Sequence, residues 1–167
     1  MFHIINICSA NKVKLCYNLY MLTSLTETEI TKLIDVARET REHAFSHRSH
    51  HKIGASVLTE SGEVYGGCNI ESFISGLGTC AERCAINNAI ANGHHSFRAV
   101  CDIDKGMTPC CGACLQYAMM FSQVVEHDLY IINANLEGEY EIHLLSDLLP
   151  AGYRTQNNLD ELHSYKD

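Results

Sequence analysis

Ile30, Leu33, Ile34 and Ala37 recur at three- and four-residue spacing, the period of a helix that buries one face. Ser24 and Thr26 each stand three residues ahead of a glutamate, Glu27 and Glu29, so two overlapping capping boxes mark the start of that helix. It is predicted to run to about Arg41. Residues 43–52 are polar, rich in histidine and without period, and read as a loop. Ile53 to Leu58 is a short apolar run, Ser61-Gly62 a turn, and Val64 to Ile70 a second strand, which together predict a hairpin. Gly76 and Gly78 interrupt the chain before a segment rich in Ala and Ile, from Cys80 to Asn92, that Gly93 closes as a helix.

The second half alternates. Phe97 to Ile103 reads as a strand, Cys111 to about Ser122 as a helix, and Leu129 to Asn133 as a strand. Tyr140 to Leu144 reads as another strand, followed by a short helix ending before Pro150. Alternating helices and strands predict crossover connections and parallel pairing, and the hairpin makes the sheet mixed. The tail, 155–167, is polar and expected to fray. No internal repeat or linker divides the chain, so residues 21–154 form one expected domain.

Composition narrows this picture. The 167 residues carry 46% hydrophobic and 19% charged residues, ordinary for a globular domain able to bury a core. The formal net charge is −8, which argues against a large nucleic-acid surface because phosphates need clustered Lys and Arg. No apolar run approaches the roughly 18 residues of a membrane span. The 9 cysteines are odd in number and partly adjacent, a pattern of metal ligands and buried thiols in a reducing compartment rather than of a disulfide framework. Residues 1–20 contain Lys12 and Lys14, no acidic residue and only short apolar runs. They are expected to be a poorly ordered extension, with a weak transit peptide as the alternative and Met21 as a candidate functional start.

The chemistry concentrates in Cys80-Ala81-Glu82-Arg83 and Cys111-Gly112-Ala113-Cys114. Three cysteines make three zinc ligands and leave the fourth position for water, and a nearby glutamate can move that water's protons. Both groups stand where loops become helices, and helix N-termini favour thiolate over thiol. Arg83 can offset the excess negative charge of a three-thiolate zinc by hydrogen bonding to a ligand sulfur. A closed four-thiolate zinc completed by Cys110, Cys84 or Cys68, or a set of metal-free buried thiols, is the competing reading. His43, His47, His50, His94 and His95 read as exposed loop histidines rather than as a second metal site.

These two motifs, the second in the context Pro109-Cys110-Cys111-Gly112-Ala113-Cys114-Leu115-Gln116, resemble the signatures of the small, homotetrameric cytidine deaminases. The resemblance runs from about Leu25 to Tyr153. It includes Ser49-His50, Ile53-Gly54-Ala55, Gly67-Cys68-Asn69-Ile70-Glu71, Phe97-Arg98-Ala99 and Leu148-Leu149-Pro150. It implies an α/β fold, a three-layer α-β-α sandwich around a mixed five-stranded sheet, with one Zn2+ per subunit held by Cys80, Cys111 and Cys114. Glu82 would be the proton shuttle and Arg83 its neighbour behind the metal. Asn69 and Glu71 would hold the ribose hydroxyl, and the backbone near Thr79 and Ala81 would read the base edge. The implied activity is conversion of cytidine and 2′-deoxycytidine to the uridine products with release of ammonia, in cytoplasmic pyrimidine salvage. Three positions depart from the family pattern. His51-Lys52 replaces Phe-Pro, so His51 takes the place of an aromatic near the nucleoside; Cys110 replaces a proline; and Leu115 replaces an arginine. They leave open a related aminopyrimidine such as blasticidin S or a modified cytidine. A polynucleotide deaminase or a non-catalytic zinc module is the more distant reading.

Overall fold

The computed structural model describes residues 25–167. The expected N-terminal extension, the candidate start at Met21 and the Ser24 cap lie outside the described residues.

Helix α1 (Glu27–Arg41) begins on Thr26. Glu29 N–H donates to the Thr26 hydroxyl and Thr26 N–H to the Glu29 carboxylate, at 3.2 and 2.8 Å, so the capping box read from the sequence forms. Such a cap stabilises a helix by about 1 kcal/mol. The apolar stripe Ile30, Leu33, Ile34, Ala37 is buried as its spacing requires.

The strands β1 (Gly54–Thr59), β2 (Val64–Cys68), β3 (Phe97–Asp104), β4 (Tyr130–Asn135) and β5 (Tyr140–Leu144) form one sheet in the order β2-β1-β3-β4-β5. β3 and β4 pair in parallel and the other neighbours are antiparallel. The predicted second strand ends at Cys68, short of Ile70, because Asn69 turns to bond the 51–53 segment instead of continuing the ladder.

Helix α1 covers one face of the sheet, with Leu33, Cys101, Ile103 and Ile132 in that layer. Helices α2 (Ala81–Ala91) and α3 (Gly112–Val125) cover the other, packed with Val57, Ile86, Val100 and Ile131. Each fully buried Ile or Leu in these layers contributes roughly 1.5–3 kcal/mol by leaving water. The expected three-layer sandwich is the observed one.

Two glycines set the distances between layers. A Cβ at Gly54 would lie 1.9 Å from the Ala37 carbonyl oxygen, so α1 rests directly on β1. A Cβ at Gly67 would lie 2.3 Å from the Ala85 backbone nitrogen, so α2 rests directly on β2.

The short helix α4 (Leu145–Leu148) follows β5. The tail does not fray as its polarity predicts. It forms α5 (Leu159–His163), Lys166 Nζ donates to the Val125 carbonyl at 3.2 Å, and His95 N–H donates to the Asp167 carboxylate at 2.8 Å. Leu162 alone packs on the core, and the bonds of Lys166 and Asp167 are polar, so no apolar period announces the tail.

Candidate active site

Two helix starts meet at the C-terminal end of β3. Cys80 is the N-cap residue of α2 and Cys111 that of α3, both extended, and neither thiol caps its own helix. Their side chains turn toward each other instead. The sulfurs of Cys80, Cys111 and Cys114 all lie within 4.8 Å of one another. Cys114 is one turn into α3, so one helix supplies two thiols and the other supplies the third.

Arg83 Nη2 donates to Cys80 Sγ at 3.8 Å, the contact expected of a charge-balancing arginine. Hydrogen bonding with Cys114, and then burial, pushes the Cys80 thiol well above the ordinary cysteine range. Hydrogen bonding with Cys110 is the largest influence raising Cys114. Thiols packed this closely keep their protons unless a cation neutralises them, and a divalent, thiolate-tolerant ion such as zinc fits that donor set. Cys110 hydrogen-bonds Cys114 but does not lie within 4.8 Å of all three sulfurs, and it falls in a second group with Glu82 and Asp102. Cys84 and Cys68 fall in neither group, and all seven described cysteines are free thiols.

Cys80 and Cys111 border a cavity of about 400 Å³, large enough for a small organic ligand, and Cys114 is buried beside them. Glu82, 6% exposed and in the first turn of α2, lines it beside Cys80 and Cys111. Asn69, Glu71 and Thr79 line it as well. Each is already engaged with backbone. Asn69 Oδ1 accepts from Ile53 N–H at 2.9 Å, and its Nδ2 donates to the His51 carbonyl at 2.9 Å. The Glu71 carboxylate accepts from the N–H groups of Arg48 and Ser49 at 2.7 and 3.2 Å. Hydrogen bonding from Ser49, and then from Arg48, holds Glu71 down at about 2.

Thr79 exchanges both backbone bonds with Ile70, at 2.8 and 2.9 Å, so its N–H is not free to read a ligand and its carbonyl keeps one lone pair. Ala81 is fully buried and does not line the cavity; its backbone N–H, in the first turn of α2, has no partner within the helix. His51 does not line the cavity. Its half-exposed ring lies at the rim, with Nε2 3.5 Å from Asp104 Oδ2, and Asp104 is the group that reaches the cavity.

Sequence reasoning did not single out Asp102 and Asp104. Both are buried, both line the cavity, and both alternate with the apolar Cys101 and Ile103 in the second half of the strand. An acid inside a strand is a signal in itself, because it must find partners. The histidines form no metal cluster among the described residues. His47 is stacked between Phe45 and Phe73, His94 against Tyr65, and His95 pairs with Asp167.

The family described as the cytidine and deoxycytidylate deaminase zinc-binding region matches residues 27–127. A cytidine deaminase of Sporosarcina psychrophila is 33% identical over 132 residues, covering 77% of this chain and 94% of the relative. The crystal structure of cytidine deaminase from Burkholderia pseudomallei matches with a TM-score of 0.69 at 32% identity, over 77% of this chain and 100% of that one. Blasticidin-S deaminase of Bacillus cereus is 33% identical over 69 residues, covering 41% of this chain and 49% of the relative. The family match takes in both cysteine motifs, Glu82 and the strand that lies behind them, and the chain belongs to the zinc-dependent cytidine deaminases.

Proposed function

We propose that this protein hydrolyses the exocyclic amine of cytidine and 2′-deoxycytidine, giving uridine or 2′-deoxyuridine and ammonia in pyrimidine salvage. One observation carries the reading: a buried glutamate lines the same cavity as Cys80 and Cys111, two members of a cluster of three sulfurs. Cys80, Cys111 and Cys114 hold one zinc ion per subunit. When bound, zinc lowers the pKa of a water molecule and makes it a nucleophile at neutral pH.

Glu82 accepts a proton from the attacking water, delivers it to pyrimidine N3 as C4 is attacked, and then carries the proton of the new C4 hydroxyl to the amino group, which leaves as ammonia as the C4–N bond breaks and the C4 carbonyl forms. Arg83 holds Cys80 as a thiolate through its hydrogen bond to the sulfur. The Ala81 N–H and the remaining lone pair of the Thr79 carbonyl face the base edge. Asn69 retains one Nδ2 proton, and Glu71 is ionised throughout the neutral range; the two hold the ribose hydroxyl. His51 acts on this wall through Asp104.

The subunits assemble as a homotetramer, in keeping with the resemblance to the small cytidine deaminases, and seven free thiols support a reducing, cytoplasmic setting. No described helix is long and apolar enough to cross a membrane. The catalytic domain spans 21–154.

The test is the ultraviolet change as cytidine becomes uridine. Zinc-replete protein is expected to turn over both nucleosides, and its inactivity toward both would overturn the reading. The motifs shared with blasticidin-S deaminase cover the smaller part of the chain, so cytidine is the better supported substrate.

A further inference from the structure

Asp102 stands where an apolar side chain belongs. It follows Val100 on the face of β3 that meets α2 and α3, paired across the sheet with Ala55 on one side and Asn133 on the other. It is 4% exposed. A carboxyl group without partners there would be strongly destabilising. One partner lies within the sheet: Asn133 Nδ2 donates to Asp102 Oδ2 at 2.8 Å. Its other near neighbours in the site are Glu82 and Cys110. The ligating atoms of Asp102, Glu82 and Cys110 all lie within 4.8 Å of one another, and both carboxyl groups line the cavity.

Burial is the largest influence on Asp102 and, with Glu82 and Asp104 nearby, pushes it up to about 8 against the opposing bond from Asn133. A carboxyl group that keeps its proton donates a hydrogen bond, whereas an ionised one only accepts. Because Asn133 Nδ2 donates to Oδ2, Oδ1 is the oxygen left to carry that proton.

We propose that Asp102 is the positioning residue for Glu82: its carboxylic acid donates a hydrogen bond to the Glu82 carboxylate and fixes the rotamer that reaches into the cavity. This rests on the proposed reaction in taking Glu82 as the proton carrier. A proton shuttle held by a locked neighbour keeps its reacting geometry without reorganising at each turnover.

The kinetic test compares two substitutions. Asp102→Val suits the apolar slot but removes the donor, and it is expected to lower kcat by roughly tenfold or more with KM within about twofold, the share typical of a well-aimed proton transfer group. Asp102→Asn keeps a donor toward Glu82 and an acceptor for Asn133, and it is expected to restore kcat to within about threefold of wild type, since a neutral donor replaces a neutral donor. Both should keep their zinc. A valine variant as fast as wild type overturns the proposal. So does an asparagine variant as slow as the valine one, which would assign the effect to charge, and so does loss of zinc or binding of a second metal equivalent at the Asp102 group. Asp102→Ala carries the same test should the valine variant not fold.

A second readout is independent of substrate. Infrared spectroscopy of the zinc-loaded protein at neutral pH should show the carbonyl stretch of a protonated carboxyl that is absent in D102N and shifted in Glu82→Gln. Absence of that band in wild type, or a band unmoved in E82Q, overturns the proposal whether or not cytidine is the substrate.

Discussion

The two walls of the cavity are built on opposite plans. The wall formed by Cys80, Glu82 and Cys111, with Cys114 buried beside it, stands on the first turns of two helices, and its side chains have no backbone to hold. The wall formed by Asn69 and Glu71 consists of side chains that tie down loop backbone around 48–53 before they meet any ligand. Groups on the first wall are free to react because α2 and α3 carry their structural duties. Groups on the second wall recognise and fold at once. A substitution on the first should therefore remove activity and spare stability, while one on the second should remove both together.

The largest effect is expected from Cys111→Ala, which leaves two thiols for the metal. Metal content should fall to background and turnover with it, and an alanine variant that retains one zinc and its activity would remove Cys111 from the ligand set. Next comes Glu82→Gln. It should keep its zinc and its melting temperature and lose roughly 10²–10⁴ in kcat, the range of a general acid–base group. Near-normal turnover would end its assigned role.

Asn69→Ala tests the other wall. It strips the acceptor from the Ile53 N–H, which should cost about 1–3 kcal/mol. For a chain of this size that lowers the melting temperature by roughly 2–4 °C per kcal/mol, and KM should rise as well. If N69A instead lowers kcat alone at unchanged stability, the contrast between the walls fails.

The smallest effect is one of pH. The Glu71 carboxyl lies at about 2 in the folded chain, below the ordinary glutamate value, so it binds fewer protons there than in the unfolded chain. Its contribution to stability is present above the ordinary value of 4.5 and is lost as pH falls toward 2. Glu71→Gln should flatten the acid limb of a denaturation curve, an effect read by comparing midpoints at pH 5 and pH 3 with wild type.

The first wall was legible in the sequence and the second only partly. Cysteine spacing and helix starts are local, so Cys80, Glu82, Cys111 and Cys114 can be read from two short segments. The capping box at Thr26 is local in the same way, and its prediction matches the atoms. Asp102 and Asn133 are 31 residues apart and meet only through the parallel register of β3 and β4. Hydrophobic period reports which face a residue takes, and it is silent about the neighbour on the next strand. The same holds for His51 and Asp104, and for the reciprocal bonds of Thr79 and Ile70, which sequence cannot pair.

The contact of Gly67 with the backbone of α2 has a bearing on engineering. The height of Glu82 above the sheet is set where one main chain touches another, with no side chain in between to be tuned. The reacting geometry is thus a module, insulated from changes in the loops that choose the ligand. Substrate range can be redrawn through residues 46–52 and 71–79 with that geometry left in place, while a single methyl group at position 67 would displace it.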